Sequence, residues 1–235
     1  MDFHILELHK TPIWEQLQIE EALLRSDNRN WCVINRGSPP AIVMGISGKP
    51  EVLLNASLVE QYQIPVWKRF SGGGTVVIDE NTLFVTFICN TEDVGVHERQ
   101  DKIHSWAESV YREIFPSNQF RQRENDYVLG DRKFGGNAQY LRRGRWLHHT
   151  SFLWDFDIDK MQCLLMPPTA PDYRVNRSHD DFLCRLNGVM RSSDELFDRL
   201  KGTLASRYTL SESKVENVFK LLDKDHRKAT KQVEL

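Results

Sequence analysis

The sequence predicts an α+β domain built on a mainly antiparallel sheet flanked by helices. Strand-like apolar segments come in hairpin-linked groups, and the helical segments between them are few and separated. A doubly wound α/β fold would need strands and helices to alternate along the chain, and here they do not. The 235 residues suit one domain, or one domain with a small appendage, and can bury a full core without disulfides or a metal.

The first half of the chain predicts one helix followed by short strands. Residues 14–26 place Leu17 and Leu24 on one helical face, and Glu20 falls on that same face. Runs of β-branched and aromatic residues predict strands at 31–36, 41–46, 66–70, 75–78 and 83–89. A Gly-Ser-Pro-Pro turn separates the first two of these strands, so they are expected to form a hairpin.

The second half mixes helices with further hairpins. An apolar stripe predicts a helix at 101–115, and the polar segment at 166–181 is too long for an ordinary connection, which makes it a functional loop or a disordered one. The remaining predictions are short strands at 127–130 and 132–134, a hairpin of 137–141 with 145–154, and helices at 158–166, 192–208 and 211–225. A serine cap begins the helix at 192, and the charged end of the chain is expected to fray.

Composition excludes several classes of protein. A formal net charge of −2 argues against a bulk nucleic-acid surface, which would be basic. The four cysteines show no CxxC spacing, so zinc and thioredoxin-like sites are not expected, and buried thiols suit a reducing compartment. There is neither a secretory signal pattern at the N-terminus nor an apolar run long enough for a membrane span. We therefore expect a cytoplasmic or organelle-matrix protein with no nucleic-acid or membrane partner.

The stretch KRFSGGGTVVID at 68–79 is the strongest local signal. Its three glycines lie between two apolar strands, where backbone N–H groups can approach an anion without interference from Cβ atoms. Arg69 and Ser71 add a charge and a hydroxyl. The alternative is a glycine-rich hairpin turn, about as probable for the stretch taken alone, although three glycines are more than a hairpin needs. It is not a Walker loop, because no GK[ST] follows.

A second glycine element is RKFGGNAQY at 132–140. It places Lys133 beside an expected Gly-Gly turn, where an ammonium could polarise a carboxylate or phosphate oxygen. Just upstream, Asn125 and Asp126 offer an amide and a carboxylate that could hold Mg²⁺ or orient a nucleotide. Taken singly, a lone lysine is more often a strand-edge residue, and Asn-Asp is more often a turn.

Two adjacent histidines, His148 and His149, occur within a predicted strand. Successive side chains of a strand point to opposite faces, so the pair cannot chelate one metal and at most one of them faces a pocket. The alternative for either is a hydrogen-bonded core or edge histidine.

The order of these motifs resembles the lipoate–protein ligase A family, within the wider biotin/lipoate ligase and octanoyltransferase group. The stretches that carry the resemblance are RFSGGGTVV, RENDYV, DRKFGGNAQ and HHTSFL, and it extends from about the first helix to near residue 190. It implies a catalytic domain at 1–190 and a C-terminal helical extension at 191–235, without the separate accessory domain that full-length ligases often carry.

The resemblance implies an enzyme that activates lipoate, or octanoate, with ATP and Mg²⁺ to an acyl-adenylate and passes the acyl group to a carrier lysine. Carriers would be lipoyl domains of 2-oxoacid dehydrogenase E2 subunits or the glycine cleavage H protein, and an accessory protein could replace the missing domain. Lys133 would be the catalytic lysine, bridging the acyl carbonyl and the phosphate. The other implied site residues form three groups: substrate contacts at Arg69, Ser71, Gly72, Gly73, Gly74, Gly136, Asn137, Ala138 and His149; nucleotide contacts at Asn125, Asp126, Asp79 and Lys133; and a metal contact at Asp126. The 166–181 segment would close over the adenylate.

The sequence departs from the family pattern at two motif positions. Ile78 stands where the family's first glycine loop usually runs on to a histidine, so only Asp79 of a His-Asp pair remains. The lysine motif reads KFGGNAQ, with Gly135 where a serine is more usual.

Two other functions stay open within this resemblance. An octanoyl- or lipoyl-transferase would hold the acyl group as a cysteine thioester and need no ATP. One transferase branch has its cysteine just ahead of RENDYV, where this chain has none, and another near 167–168, which are prolines here; Cys163 and Cys184 lie close by but do not align well. A non-catalytic acyl-binding paralogue would agree with the loss of the family histidine at Ile78, whereas the presence of Lys133 and of Asn125 with Asp126 opposes it. The ligase is favoured, and a biotin ligase, usually Arg-rich where RFSGGG stands, is disfavoured.

Overall fold

The computed structural model of the chain describes residues 1–115, 118, 120–167 and 170–235. The helices are α1 (Ile13–Ser26), α2 (Pro50–Leu53), α3 (Ala56–Gln61), α4 (Thr91–Val94), α5 (Gln100–Ile114), α6 (Ile158–Met161), α7 (His179–Phe182), α8 (Ser193–Ala205) and α9 (Val215–Leu222). The strands are β1 (Asp2–His9), β2 (Asn30–Arg36), β3 (Ala41–Met44), β4 (Val66–Lys68), β5 (Val76–Ile78), β6 (Thr82–Asn90), β7 (Phe120–Arg123), β8 (Asp126–Leu129), β9 (Arg132–Arg142), β10 (Arg145–Leu153), β11 (Thr209–Glu212) and β12 (Lys231–Val233).

The described strands form a large and a small sheet. The large sheet has the order β11-β1-β2-β6-β10-β9-β8-β7, and the small one has the order β12-β4-β3-β5. Pairing is antiparallel except between β1 and its two neighbours and between β3 and β4. The predicted α+β class with a mainly antiparallel sheet is therefore confirmed.

The two faces of the large sheet carry different layers. On one face α5 and α8 cover an aromatic core that includes Phe87, Phe152 and Phe197. On the other face α1 and α9 pack through leucines such as Leu23 and Leu221, and the small sheet lies beside them, joined through Ile13 and Leu17 of α1. Side chains alternate between the two faces along each strand of the large sheet. One face therefore carries the aromatic core under α5 and α8, and the other carries α1, α9 and the small sheet.

The hairpin predicted for 31–36 and 41–46 is wrong. β2 pairs with β6 in the large sheet, whereas β3 pairs with β4 and β5 in the small one. The link between them is a crossover: Gly37 has a φ of +86°, and a Cβ there would lie 2.5 Å from the Glu80 carbonyl oxygen. The Ser38 hydroxyl oxygen accepts a hydrogen bond from the Ile13 N–H. The Gly-Ser-Pro-Pro sequence therefore carries the chain from one sheet to the other.

The predicted helices are found, with changes at their ends. The helices at 14–26, 101–115 and 192–208 appear as α1, α5 and α8, and the Ser192 side chain accepts the Glu195 N–H as the expected cap. The helix predicted at 158–166 ends at Met161, because Leu164 forms a bridge with Leu54 instead.

The C-terminal segment holds strands as well as helices. β11 pairs with β1 and β12 pairs with β4, so the expectation of a frayed charged end is wrong. An unpaired sheet edge offers backbone hydrogen bonds to any nearby extended segment, and β12 takes those of β4. The functional boundary expected at residue 190 stays a prediction. Among the described residues, no helix is both long and apolar enough to cross a membrane.

Candidate active site

A cavity of about 970 Å³ lies between the two sheets. Apolar side chains of both sheets form much of its wall, among them Val43, Val77, Ile78 and Phe84. Ile78, at the position of the family histidine, is buried in this wall. Of the implied site residues, those that line the cavity are Arg69, Gly72, Gly73, Gly74, Asn125, Asp126, Lys133, Gly136, Asn137, Ala138 and His149. Residues that lie far apart in the sequence thus meet around one space.

Arg69 holds the first glycine loop in shape. The residue is 5% exposed, and its Nη2 donates to the carbonyl oxygens of Gly72 and Gly74, both at 2.9 Å. Gly73 has a φ of +112°, and a Cβ there would lie 2.6 Å from that nitrogen. Burial lowers the pKa of Arg69 to about 10, which leaves it charged at neutral pH. The Nη2 group of Arg69 is therefore hydrogen-bonded within the loop, and the three glycines form part of the cavity wall.

Two implied site residues do not reach the cavity wall. Ser71 is buried, and its carbonyl oxygen accepts the Ile46 N–H. The Asp79 carboxylate accepts the Asn81 N–H at 2.9 Å, inside the turn between β5 and β6. Burial raises the pKa of Asp79. The substrate contact of Ser71 and the nucleotide contact of Asp79 stay predictions, since neither residue is among those that line the cavity.

Lys133 forms an ion pair with Asp126 at the cavity wall. Nζ lies 2.8 Å from Oδ1, with the lysine side chain 21% exposed and the aspartate nearly buried. The other carboxylate oxygen, Oδ2, accepts a hydrogen bond from the Tyr173 hydroxyl at 2.8 Å. The ammonium is thus fixed at the cavity surface rather than free in solvent.

The expected Gly-Gly turn is instead part of a continuous strand, β9. Each glycine is required by a different neighbour: a Cβ on Gly135 would lie 2.8 Å from the Phe152 ring, and one on Gly136 would lie 3.1 Å from Nζ of Lys133. Since the two residues point to opposite faces, Gly135 makes room for the aromatic core and Gly136 makes room for the lysine.

An amide pair forms the adjoining wall. Asn137 donates through Nδ2 to the Asn125 carbonyl oxygen at 2.7 Å, and its Oδ1 lies 2.9 Å from Nε2 of His104. Gln100 donates to Oδ1 of Asn125 at 2.9 Å. Both partners come from the first turns of α5, and burial lowers the pKa of His104. Sequence reasoning missed His104 and Gln100, because helix periodicity does not show which strand a helix will cover.

The two adjacent histidines point to opposite faces, as predicted. His149 lines the cavity, and its Nδ1 lies 3.0 Å from both carboxylate oxygens of Glu20. His148 is fully buried on the other face, with Nε2 2.9 Å from the Tyr127 hydroxyl, and burial lowers its pKa well below the usual value.

Glu20 lies behind the cavity wall, fully buried on α1. Gln16 and Thr86 each donate to its Oε1 at 2.7 Å. Its place on the apolar face of the first helix was visible in the sequence, and an acid on such a face usually has a buried partner. That signal was not used to predict a site residue.

The polar segment at 166–181 contributes to the cavity wall in its described part, while its residues 168–169 lie outside the described residues. A 3₁₀ turn at Asp172–Arg174 and α7 bring Arg174, His179 and Phe182 to the cavity. Just after the segment, the Cys184 N–H donates to the Lys133 carbonyl oxygen at 2.8 Å and ties this part of the chain to β9.

Neither Cys163 nor Cys184 is among the residues that line the cavity. Burial raises the pKa of both thiols, which disfavours the nucleophilic thiolate. Among the described residues there is also no group of three acidic, histidine or cysteine side chains that could hold a metal. Asp126 is therefore a lone carboxylate at the wall and not part of a protein cage for a metal.

Comparison with known proteins decides the family. The model of the lipoyl protein ligase A/B catalytic domain matches residues 12–205, most of the chain. The chain belongs to this family. Inactive lipoate–protein ligase 2 of Plasmodium falciparum is 27% identical to this member, over 77% of the chain and 62% of that protein. The lipoate–protein ligase LplJ of Bacillus subtilis is 32% identical, over 51% of the chain and 36% of that protein. This lipoyl ligase domain thus spans less than two thirds of either relative.

Solved structures show the same fold. A lipoate–protein ligase A bound with ATP superposes on this family member with a TM-score of 0.75 and 17% identity, covering 95% of each chain. A bi-partite lipoate protein ligase from Thermoplasma acidophilum, described with its E2 lipoyl domain, gives a TM-score of 0.70 at 19% identity and covers 95% of this chain and 93% of that one. The resemblance stated from the motifs is confirmed at the level of family and fold.

Proposed function

We propose that the chain is the catalytic domain of a lipoate–protein ligase. It activates lipoate, or octanoate, with ATP to an acyl-adenylate and transfers the acyl group to a lysine of a lipoyl carrier domain. The observation that carries this proposal is the Lys133–Asp126 ion pair at the wall of a cavity between the two sheets. Beside the pair, Gly136 leaves room for a ligand atom to approach Nζ.

The residues suit a mixed anhydride. Adenylation needs two reactants held in place and their charge neutralised, rather than a protein nucleophile. The apolar wall that includes Val77 and Phe84 can take an acyl chain, and the glycine loop at 72–74 offers backbone atoms near the polar end. In the transfer step the Lys133 ammonium would stabilise the oxyanion that forms when a carrier amine attacks the acyl carbon.

The nucleotide would lie along the wall formed by Asn125, Asn137 and Asp126. ATP binding is supported by the fold, because the superposed lipoate–protein ligase A is an ATP complex. Asp126 is the carboxylate that would hold magnesium, with the remaining ligands supplied by phosphates and water. When bound, the ion would neutralise charge on the phosphates.

A carrier domain and an accessory protein are the proposed partners. The Thermoplasma ligase is described as bi-partite and together with its E2 lipoyl domain, which supports a lipoyl domain as the acceptor and a separate second component. The glycine cleavage H protein would be acylated by the same chemistry, because it presents the same kind of lysine.

A non-catalytic acyl-binding protein is the second candidate. Two observations favour it: a relative at 27% identity is named as inactive, and Ile78 puts an apolar side chain in the cavity wall at the family histidine position. The transferase that uses a cysteine thioester has less support, because neither Cys163 nor Cys184 lines the cavity.

Separating the half-reactions tests the three functions. The first assay supplies lipoate or octanoate with Mg-ATP and measures acyl-adenylate; the second supplies preformed lipoyl-adenylate and measures the mass of a lipoyl domain. A ligase gives both products, and a thioester transferase gives neither, but acylates its own cysteine from an acyl-carrier donor. A non-catalytic acyl-binding protein gives none of these products, but its binding of lipoate is measurable by calorimetry. Transfer from the supplied adenylate alone would mean that activation needs the accessory component.

A further inference from the structure

Arg174 is a buried arginine with an unused donor. It is 5% exposed, it lines the cavity, and its Nη2 has no hydrogen-bond partner among the described residues. Its Nε donates to the Arg177 carbonyl oxygen at 3.0 Å, and the guanidinium lies 4.9 Å from the centre of the Phe182 ring. Buried donors are nearly always paired, and this unpaired nitrogen belongs to a residue that lines the cavity, so its acceptor could arrive with a ligand.

The other cations around the cavity are already paired or exposed. Arg69 donates to the carbonyl oxygens of its own loop, and Lys133 is paired with Asp126. Lys49 lies at the exposed rim. Among the buried cations of the described cavity wall, Arg174 is thus the one with an unpaired donor, its Nη2, that an anionic ligand could accept.

The position of Arg174 relative to the Lys133 ion pair is fixed by its neighbour in the chain. Tyr173 donates to Asp126, the carboxylate that also holds Lys133. Burial lowers the pKa of His179, and the charges of Arg174 and Lys133 lower it further, which means that both cations act on the same neutral ring. The acids nearby, Glu124 and Asp172, are bound to each other through the Asp172 N–H. The cavity lining at this corner thus places two cations, Arg174 and Lys133, beside the carboxylates of Asp126, Glu124 and Asp172.

The backbone after Arg174 is held in a strained form that keeps the guanidinium in the wall. Val175 has a φ of +48°, an unfavourable value for a β-branched residue, and its side chain is 76% exposed. Arg177 clamps the turn by donating to the Asp131 carboxylate and to the Tyr173 carbonyl oxygen. The exposed Val175 and the buried Arg174 thus lie on opposite sides of one fixed turn.

We infer that Arg174 binds the pyrophosphate portion of the nucleotide and stabilises it as the leaving group. The inference rests on the proposed function. In the adenylation step a carboxylate oxygen of the acid forms a bond to the α-phosphorus. The bond from that phosphorus to the bridging oxygen breaks, and pyrophosphate leaves with the electron pair. The planar guanidinium fork matches phosphate oxygens better than an ammonium does.

The test measures binding of inorganic pyrophosphate with Mg²⁺ by calorimetry to wild type and to Arg174→Met. Methionine keeps an unbranched apolar side chain against Phe182 and removes the charge. We expect pyrophosphate to bind about tenfold or more weakly to the variant. Arg112→Met is the matched control, since that arginine pairs with Glu108 on the outer face of α5, and it should bind pyrophosphate as wild type does. Arg174→Lys should be intermediate.

A second readout separates a ligand contact from a structural role. Transfer from supplied lipoyl-adenylate does not involve pyrophosphate, so Arg174→Met should keep it within about twofold of wild type. Equal pyrophosphate affinity in wild type and Arg174→Met would overturn the inference, and so would loss of transfer from the supplied adenylate. If wild type makes no adenylate but binds pyrophosphate in an Arg174-dependent way, the anion site stands and the proposed function fails.

Discussion

Lys133 and Tyr173 bind the two oxygens of one carboxylate, that of Asp126. The distances are 2.8 Å from Nζ to Oδ1 and 2.8 Å from the phenol oxygen to Oδ2. Because Tyr173 belongs to the segment between β10 and α8 while Lys133 belongs to β9, the carboxylate joins a cavity-covering segment to the residue placed at the centre of the chemistry. A substitution of Tyr173 should therefore alter the position of Lys133, and a substitution of Lys133 should alter that of Tyr173.

Tyr173→Phe removes the phenol donor and leaves the packing of the ring. We expect the rate of acyl-adenylate formation to fall by roughly fivefold, because Asp126 loses one of the two contacts that fix it. The free energy of unfolding, measured in urea, should fall by about 1.5–3 kcal/mol, the range for a hydrogen bond to a charged group. Tyr62→Phe, at an exposed tyrosine, is the control. An unchanged adenylation rate would contradict the coupling.

Gly136→Ala places a methyl group 3.1 Å from Nζ of Lys133. The flexible end of the lysine must move, so we expect adenylate formation to fall by about tenfold with little loss of stability. Gly202→Ala in α8 is the matched control, since nothing lies within 4 Å of a Cβ there. It should keep full activity and stabilise the protein by about 0.5–1 kcal/mol. Equal activity in the two variants would argue against a lysine positioned by Gly136.

His148 makes stability depend on pH. Burial holds the pKa of His148 well below its ordinary value, so the unfolded chain binds a proton there that the folded chain does not. This contribution to stability is complete above pH ~6.5 and is lost as pH falls below it, by at most about 1.4 kcal/mol per pH unit. His148→Gln should flatten urea-unfolding stability between pH ~6.5 and ~5 relative to wild type. If the substitution leaves the slope of unfolding free energy against pH unchanged, groups other than His148 are responsible for that pH dependence.

Cys163 and Cys184 should be dispensable. Neither lines the cavity, and burial raises the pKa of each thiol. The double substitution Cys163→Ser with Cys184→Ser should keep the acyl transfer rate to a lipoyl domain within about threefold of wild type, measured by intact mass. Abolished transfer together with a normal thermal melt would instead favour a thioester transferase.

The sequence predicted the fold class well, and many of the residues that it singled out line one cavity. Lys133, Gly136 and the glycine loop at 72–74 were found because glycines beside a cation have few structural explanations. Asp79 lies in a turn outside the cavity lining, and a turn carboxylate and a nucleotide contact look alike in one sequence. The sequence placed Glu20 on the apolar face of the first helix but could not show its partner His149, and the unpaired donor of Arg174 became visible only in three dimensions.

The errors in the fold have a similar origin. A Gly-Ser-Pro-Pro link between two apolar strands has the composition of a hairpin, yet β2 and β3 belong to different sheets. The strands β11 and β12 are short and polar, so they carry little periodicity of their own and form because a sheet edge receives them. Hydrophobic periodicity predicts a helix or strand whose own apolar residues become buried. It does not predict a strand that forms because it pairs with a sheet edge distant in the sequence.

The central claim is that this cavity activates a carboxylic acid at Lys133. The most direct measurement is lipoate-dependent pyrophosphate release with Mg-ATP by wild type, Lys133→Met and the control Lys160→Met, whose lysine pairs with Asp157 away from the cavity wall. The account predicts release by wild type and by Lys160→Met, and a loss of about a hundredfold or more in Lys133→Met. Release by Lys133→Met at the wild-type rate would contradict it.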